Sequence, residues 1–290
     1  MSDSRRLPCG TFFLFVAALL ATLPAFASDI VSREFDSNAL GRKWAYEVYL
    51  PTSYQTSRAT YPVLYLFHGN MGSRRDWVEK GNIQRTVDAL IEGGEIPAAI
   101  IVMPDAGATW LVDRREKMET ALIRDLIPDV EKNFRALRTR EGRLIGGLSM
   151  GGYGSLRFAL KYPEMFAAAA LLSPAIYDPL PPKNSGARKV PPFANPEFDE
   201  KAWRDLNYPT LWNAYLAKKT PVPMYIASGD DDEFMIEAEA TKLYSLLRAN
   251  GQPAELRIVD GPHSWAVWGS TIGDALKYIF RYSAKPTAVE

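Results

Sequence analysis

The sequence predicts an α/β fold: a mainly parallel central sheet with helices on both faces and a proline-rich insertion late in the chain. Three observations carry this. Short continuous apolar runs, such as Val63-Leu64-Tyr65-Leu66-Phe67, have the signature of strands covered on both faces. They alternate with segments of helical periodicity, the order that yields right-handed crossovers in a parallel sheet. And Gly147-Leu148-Ser149-Met150-Gly151 stands between an apolar run (Leu144, Ile145) and a helix-like segment, Ser155 to Leu160, that Pro163 ends.

The chain has 290 residues, 47% hydrophobic and 23% charged, enough for one large domain with a substantial core. Its 34 basic and 34 acidic residues balance, and they form neither a basic stripe for nucleic acid nor an acidic tail. Residues 1–27 read as a signal peptide: Arg5 and Arg6 precede the apolar run Phe12 to Leu23, and Ala25-Phe26-Ala27 sets a cut before Ser28. The run is short for a bilayer, so the expectation is a periplasmic or secreted protein with no stable membrane anchoring, an uncleaved anchor being the alternative. Cys9 falls within the leader, so a mature chain of residues 28–290 has no disulfide and must rest on its core.

Along that chain, Ile30 to Phe35 and Lys43 to Leu50 read as an antiparallel pair joined by a turn at residues 38–41. The strand Val63 to Phe67 ends at His68-Gly69-Asn70. A helix from Ile83 to Ile91 and a strand Ala98 to Met103 follow. Leu122, Leu126, Val130 and Phe134 define a helix between Arg114 and Leu137, with Pro128 expected to kink or divide it. After the Ser149 segment comes a strand, Ala168 to Leu172. The alternation then breaks over residues 176–223, a stretch dense in proline and too long for an ordinary connection, which reads as a cap beside the active site. Strand Met224 to Ala227, helix Ile236 to Leu247, strand Glu255 to Val259 and helix Trp265 to Tyr282 complete the series.

In its strand–turn–helix context, G-x-S-x-G holds a nucleophile: a strained turn exposes the serine hydroxyl, and glycines keep Cβ atoms out of the bend. A serine needs a general base, and the base needs a partner to fix its tautomer. The two histidines, His68 and His263, both follow predicted strands and open on the same sheet edge. The order nucleophile, acid, histidine selects His263 as base. The acid falls within Asp230-Asp231-Asp232. Asp232 is preferred because it lies far enough past the strand to reach back to the imidazole, with Asp231 second and Asp260 too near His263 in sequence. A calcium loop is the other reading of the triple aspartate, but the glycine and glutamate spacing of such loops is missing. The oxyanion of a tetrahedral intermediate would meet the N–H groups of Met150 and Asn70, each worth a few kcal/mol of barrier.

With these residues assembled, the chain resembles the esterase branch of the α/β-hydrolase superfamily, which includes esterase D, S-formylglutathione hydrolase, feruloyl and siderophore esterases and secreted mycolyltransferases. The likeness runs from about Val31 to the last helix, on Leu66-Phe67-His68-Gly69, Gly147 to Gly152, Gly229-Asp230-Asp231-Asp232 and Gly261-Pro262-His263-Ser264-Trp265. It implies an α/β-hydrolase fold, a G-x-x-D acid at Asp232, no metal and no organic cofactor. The leader argues against thioester detoxification in the cytosol, and the lack of carbohydrate modules and disulfides argues against the fungal feruloyl type.

The expected activity is serine carboxylic-ester hydrolysis of short-chain or aryl esters, with a small-molecule ester as the only partner implied and no reading of oligomeric state. His68, Trp110 and Trp265 are expected at the substrate cleft, His68 shaping its loop by hydrogen bonding rather than transferring protons, with Trp77, Trp268, Trp203, Tyr208 and Trp212 as further aromatic candidates divided between cleft and core. Arg74 and Arg75 read as solvated surface charges, or as a lure for a carboxylate-bearing substrate. The same triad would serve an acyltransferase passing its acyl group to a sugar or lipid, and the same fold a catalytically silent binding protein.

Overall fold

The computed structural model describes residues 27–288. The leader expected over residues 1–27 therefore lies outside the described residues but for Ala27, and no described helix is long and apolar enough to cross a membrane.

Eight strands form one sheet: β1 (Asp29–Ser37), β2 (Arg42–Leu50), β3 (Val63–Phe67), β4 (Ile100–Pro104), β5 (Arg143–Leu148), β6 (Ala169–Leu172), β7 (Met224–Gly229) and β8 (Ala254–Val259). Their spatial order is β1-β2-β4-β3-β5-β6-β7-β8. β1 pairs antiparallel with β2, β2 antiparallel with β4, and every later pairing is parallel. This is the mainly parallel sheet that the alternating pattern predicts, with the antiparallel pair at its start.

Side chains on a strand alternate between faces, so an unbroken apolar run feeds two cores at once. In β3, Val63, Tyr65 and Phe67 enter one core, and Leu64 and Leu66 enter the other. Helix α1 (Ile83–Glu92) covers the second core through Ile83, Val87 and Leu90. The first core is covered by α2 (Ile127–Asn133) and by α3 (Met150–Lys161), which follows the serine. Two insertion helices, α4 (Glu200–Leu206) and α5 (Pro209–Lys218), and then α6 (Ile236–Ala249) join the same face. The last helix, α7 (Trp265–Phe280), returns to the second core through Ile272, Ala275, Leu276 and Ile279. Each such fully buried aliphatic side chain contributes about 1.5–3 kcal/mol.

One expectation changes in detail. The helix expected from Arg114 begins at Met118, and the division expected at Pro128 takes the form of a π turn just before it. Met118–Ala121 runs into a π turn, Leu122–Leu126, and on into α2, with Pro128 in the first turn of that last segment. Proline removes one N–H and crowds the carbonyl four residues back. The wider turn absorbs both, with Ile127 N–H donating to Leu122 O five residues away.

The proline-rich stretch, read as a cap, is anchored on α3 and sends one segment to the cleft. Trp203 stacks on Tyr153 of α3 at 5.4 Å and donates its indole N–H to Tyr177 O. Tyr153 Oη and the Arg157 guanidinium both donate to Leu206 O. Its helices thus belong to the first core, and the segment around residues 175–186 is the part that reaches the cleft.

Candidate active site

Four loops leave the carboxyl ends of β3, β5, β7 and β8 at one edge of the sheet, where ligands of open parallel sheets bind. They border a cavity of about 470 Å³, within the size range of small-molecule sites.

Ser149 sits at the end of β5 with φ 53° and ψ −113°, a conformation that L-residues adopt only under constraint. The constraint is visible. Its N–H donates to Leu172 O of β6, and its own carbonyl accepts from Tyr153 N–H and Ala175 N–H. A Cβ on Gly147 would stand 2.7 Å from Phe67 O, and one on Gly151 would stand 2.7 Å from both Phe67 O and His68 O. The two motif glycines therefore let the turn close onto the end of β3, which leaves Ser149 on the cavity wall.

His263, in the turn after β8, lines the same cavity. Its Nδ1 lies 2.7 Å from Asp232 Oδ2, and the Asp232 side chain is fully buried. An ionised carboxylate only accepts, so Nδ1 carries the proton and the lone pair of Nε2 is left for another partner. Asp232 Oδ1 accepts from Phe234 N–H, which fixes the carboxylate plane. Phe234 and Trp268 each meet the imidazole edge-on at 5.0 Å, and Trp268 is in turn held by its indole N–H to Ser173 Oγ. Among the described residues, no hydrogen bond joins Ser149 to His263 in this structure.

Asp231, the second choice for the acid, turns outward: Asp230, Asp231 and Asp260 are exposed, with one carboxylate oxygen of each within 4.8 Å of the others. Two hydrogen bonds join the loops here, one between backbones, Asp231 N–H to Gly261 O, and one from Gly261 N–H to the Asp230 side-chain Oδ1.

Met150 is the first residue of α3, so its N–H has no acceptor within the helix. The loop after β3 packs directly on the serine turn, because Gly69 has no side chain: a Cβ there would be 2.7 Å from Leu148 Cδ1. Asn70 follows on the cavity wall, and among the described residues its N–H meets no acceptor. Its side chain is tied down by Trp110 Nε1, which donates to Asn70 Oδ1 over 3.2 Å.

His68, expected at the substrate, is corrected. It is buried behind the loop, not on the cavity wall, and both ring nitrogens are used: Ala106 N–H donates to Nε2 over 2.9 Å, so Nδ1 carries the proton and donates to Gly69 O over 2.6 Å. It shapes the loop and is held as one neutral tautomer. Trp110 and Trp265 do line the cavity, Trp110 as a buried wall and Trp265 half-exposed. Trp268 joins them, whereas Trp77, Trp203, Tyr208 and Trp212 are core residues. Arg74 and Arg75 face Glu47, Asp105 and Glu79 rather than the cleft.

Asp76, Lys80, Ala175 and Phe234 on the wall escaped the sequence reading, and the cap reading did not single out Tyr177 or the turn Asn184-Ser185-Gly186. Ser73-x-x-Asp76 carries the spacing of a helix start, and an Asn-Ser-Gly turn inside the insertion is a visible signal for a loop. Neither says which side chains meet the cleft.

Residues 37–279 match the family model described as "Putative esterase". The chain belongs to this esterase family. Among its relatives, an esterase of Mycobacterium tuberculosis is 40% identical over 147 residues, covering 47% of this chain and 30% of that protein. The chain thus spans less than a third of that relative's length. An acetyl esterase of Caldicellulosiruptor saccharolyticus is 28% identical over 234 residues, 76% of this chain and 84% of that protein. A solved ferulic acid esterase superposes with a TM-score of 0.76 at 28% identity, covering 90% of this chain and 100% of its own. The α/β-hydrolase fold of this esterase-family chain is therefore the one its motifs imply.

Proposed function

We propose that this protein is a serine carboxylic-ester hydrolase acting through an acyl-enzyme on short-chain or aryl esters. The observation that carries the reading is the Asp232–His263 pair, whose imidazole shares one cavity with Ser149 in its strained turn. In this reading Ser149 Oγ attacks the ester carbonyl while His263 Nε2 takes its proton. The N–H groups of Met150 and Asn70 hold the oxyanion. His263 then passes the proton to the leaving alkoxide, and a water activated by the same nitrogen releases the acid. Asp232 keeps Nδ1 protonated and steadies the imidazolium. In this reading the Ser149–His263 hydrogen bond forms as substrate fills the cleft, since catalytic hydrogen bonds are commonly completed only in the complex.

Membership of the esterase family, a relative named acetyl esterase and a structural neighbour named ferulic acid esterase support an ester of modest size, as do the aromatic walls of the cleft. Export to the periplasm or the exterior is part of the proposal, supported by the basic-then-apolar start of the sequence.

The test is a burst of p-nitrophenol from p-nitrophenyl acetate, one equivalent per Ser149. Wild-type protein should give the burst and then turn over, and Ser149→Ala should do neither. Full turnover by Ser149→Ala would end the proposal.

A further inference from the structure

One polar group on the cavity wall has no task in the hydrolytic scheme. Asp76 is buried, 8% exposed, yet borders the cleft. Its Oδ1 accepts from Ser73 Oγ over 3.0 Å and lies 3.2 Å from Lys80 Nζ. Its Oδ2 has no hydrogen-bond partner among the described residues; it approaches Gly72, where a Cβ would stand 2.7 Å from it. Oδ2 is reached by solvent, so a group that covers it in the cleft strips its hydration and must supply a donor in place of water.

The neighbours narrow what that donor is. Lys80, also on the wall, neutralises Asp76, so the pair attracts neither a free cation nor an anion and favours a neutral O–H. Gly81, next to Lys80, is wedged between two indoles: a Cβ on it would be 2.7 Å from Trp77 and 2.9 Å from Trp265. Trp265 lines the cleft two residues after His263, so Asp76, Lys80 and an aromatic ring form one part of the wall beside the proposed base. In acyl transfer the base hands its proton to the leaving alkoxide, which places the alcohol half of the ester on the His263 side.

We propose that Asp76, with Lys80 and Trp265, forms a subsite for the leaving alcohol, in which Asp76 Oδ2 accepts a hydrogen bond from a second hydroxyl of that alcohol. The preferred leaving group is then a polyol with an apolar C–H face that rests on Trp265, rather than a simple alkanol. Leaving Oδ2 dry and unpaired beneath an alkyl group is penalised, and that penalty generates the preference. The inference rests on the hydrolase reading of the same cleft and names the part of the substrate that it selects.

The experiment compares acetate release from glycerol monoacetate and from propyl acetate, followed by pH-stat. Wild-type enzyme should favour the glycerol ester by about tenfold in kcat/KM, and Asp76→Asn, which weakens the acceptor, should bring the ratio towards one. Lys80→Met, which leaves the carboxylate without its counter-charge, should keep the polyol preference and raise acetylcholine relative to its uncharged analogue 3,3-dimethylbutyl acetate several-fold. A wild-type ratio near one, or a ratio unchanged in folded Asp76→Asn, overturns the subsite. If Asp76→Asn fails to fold, the wild-type ratio and the Lys80→Met selectivity still decide it. Equal hydrolysis of both esters would sink the subsite alone, whereas turnover by Ser149→Ala would sink the hydrolase reading beneath it.

Discussion

Asp232 Oδ2 lies 2.7 Å from His263 Nδ1, and this contact joins two loops 31 residues apart in sequence. It is a charge-assisted bond to a carboxylate with no solvent exposure, so it fixes both the imidazole's orientation and its tautomer. Asp232→Asn keeps the shape and lets the ring bind as the wrong tautomer. We expect kcat for p-nitrophenyl acetate to fall by about 10³–10⁴-fold with KM nearly unchanged; a loss under tenfold in folded protein would remove Asp232 from the triad.

The serine turn has no room for another carbon. A Cβ on Gly151 would press on two backbone carbonyls, Phe67 O and His68 O, neither of which can swing away like a side chain. Gly151→Ala should therefore cost about 1–3 kcal/mol in urea unfolding and depress kcat as α3 shifts with its first N–H. Wild-type stability together with wild-type kcat would contradict this packing.

Gly186 is the point at which the insertion touches the loop after β3: a Cβ there would stand 2.7 Å from Asn70 Nδ2, and Trp110 restrains that side chain from the other end. Gly186→Ala should push on Asn70 and lower kcat by about tenfold, on the scale of a weakened oxyanion contact, with little change in melting temperature because the turn lies at the cleft edge. Asn70→Ala, which keeps the backbone N–H, should relieve the clash in the double variant. Additive losses would argue against a shared contact.

Glu239 of α6 offers a pH-dependent prediction. Burial raises its pKa above the usual carboxylate value against the opposing pull of Lys242, and its Oε2 has no hydrogen-bond partner among the described residues. A carboxyl whose folded-state pKa is raised binds protons more readily in the folded state, so its ionisation costs stability above the ordinary glutamate range and costs nothing once the pH falls below it. Glu239→Gln should accordingly raise the melting temperature at neutral pH, by about 2 °C, and the gain should vanish below about pH 4. A gain that persisted in acid would assign the effect to packing.

Much of the fold could be read in sequence because it is local. Val63 to Phe67 is a strand buried on both faces in any arrangement that hides five consecutive apolar side chains, and Gly147 to Gly151 dictates a cramped turn wherever it occurs. Pro128 shows the limit of such reading. A rule about one residue's missing N–H predicts a kink or a division but not its form, a widened turn that keeps Leu122 and Leu126 in the core.

The sequence by itself determined the order of strands and helices, the exposed turn at Ser149 and the short list of groups able to assist it, since each depends on residues close together in the chain. Only the tertiary structure decided that Asp232 faces His263 while Asp231 meets solvent, that His68 turns inward to Ala106 and Gly69, and that Asp76 and Gly186 reach the cleft. The reason is geometric. Where a loop side chain points depends on how β7 and β8 are registered and on what the neighbouring loops leave unfilled, and neither is encoded within the loop that carries it.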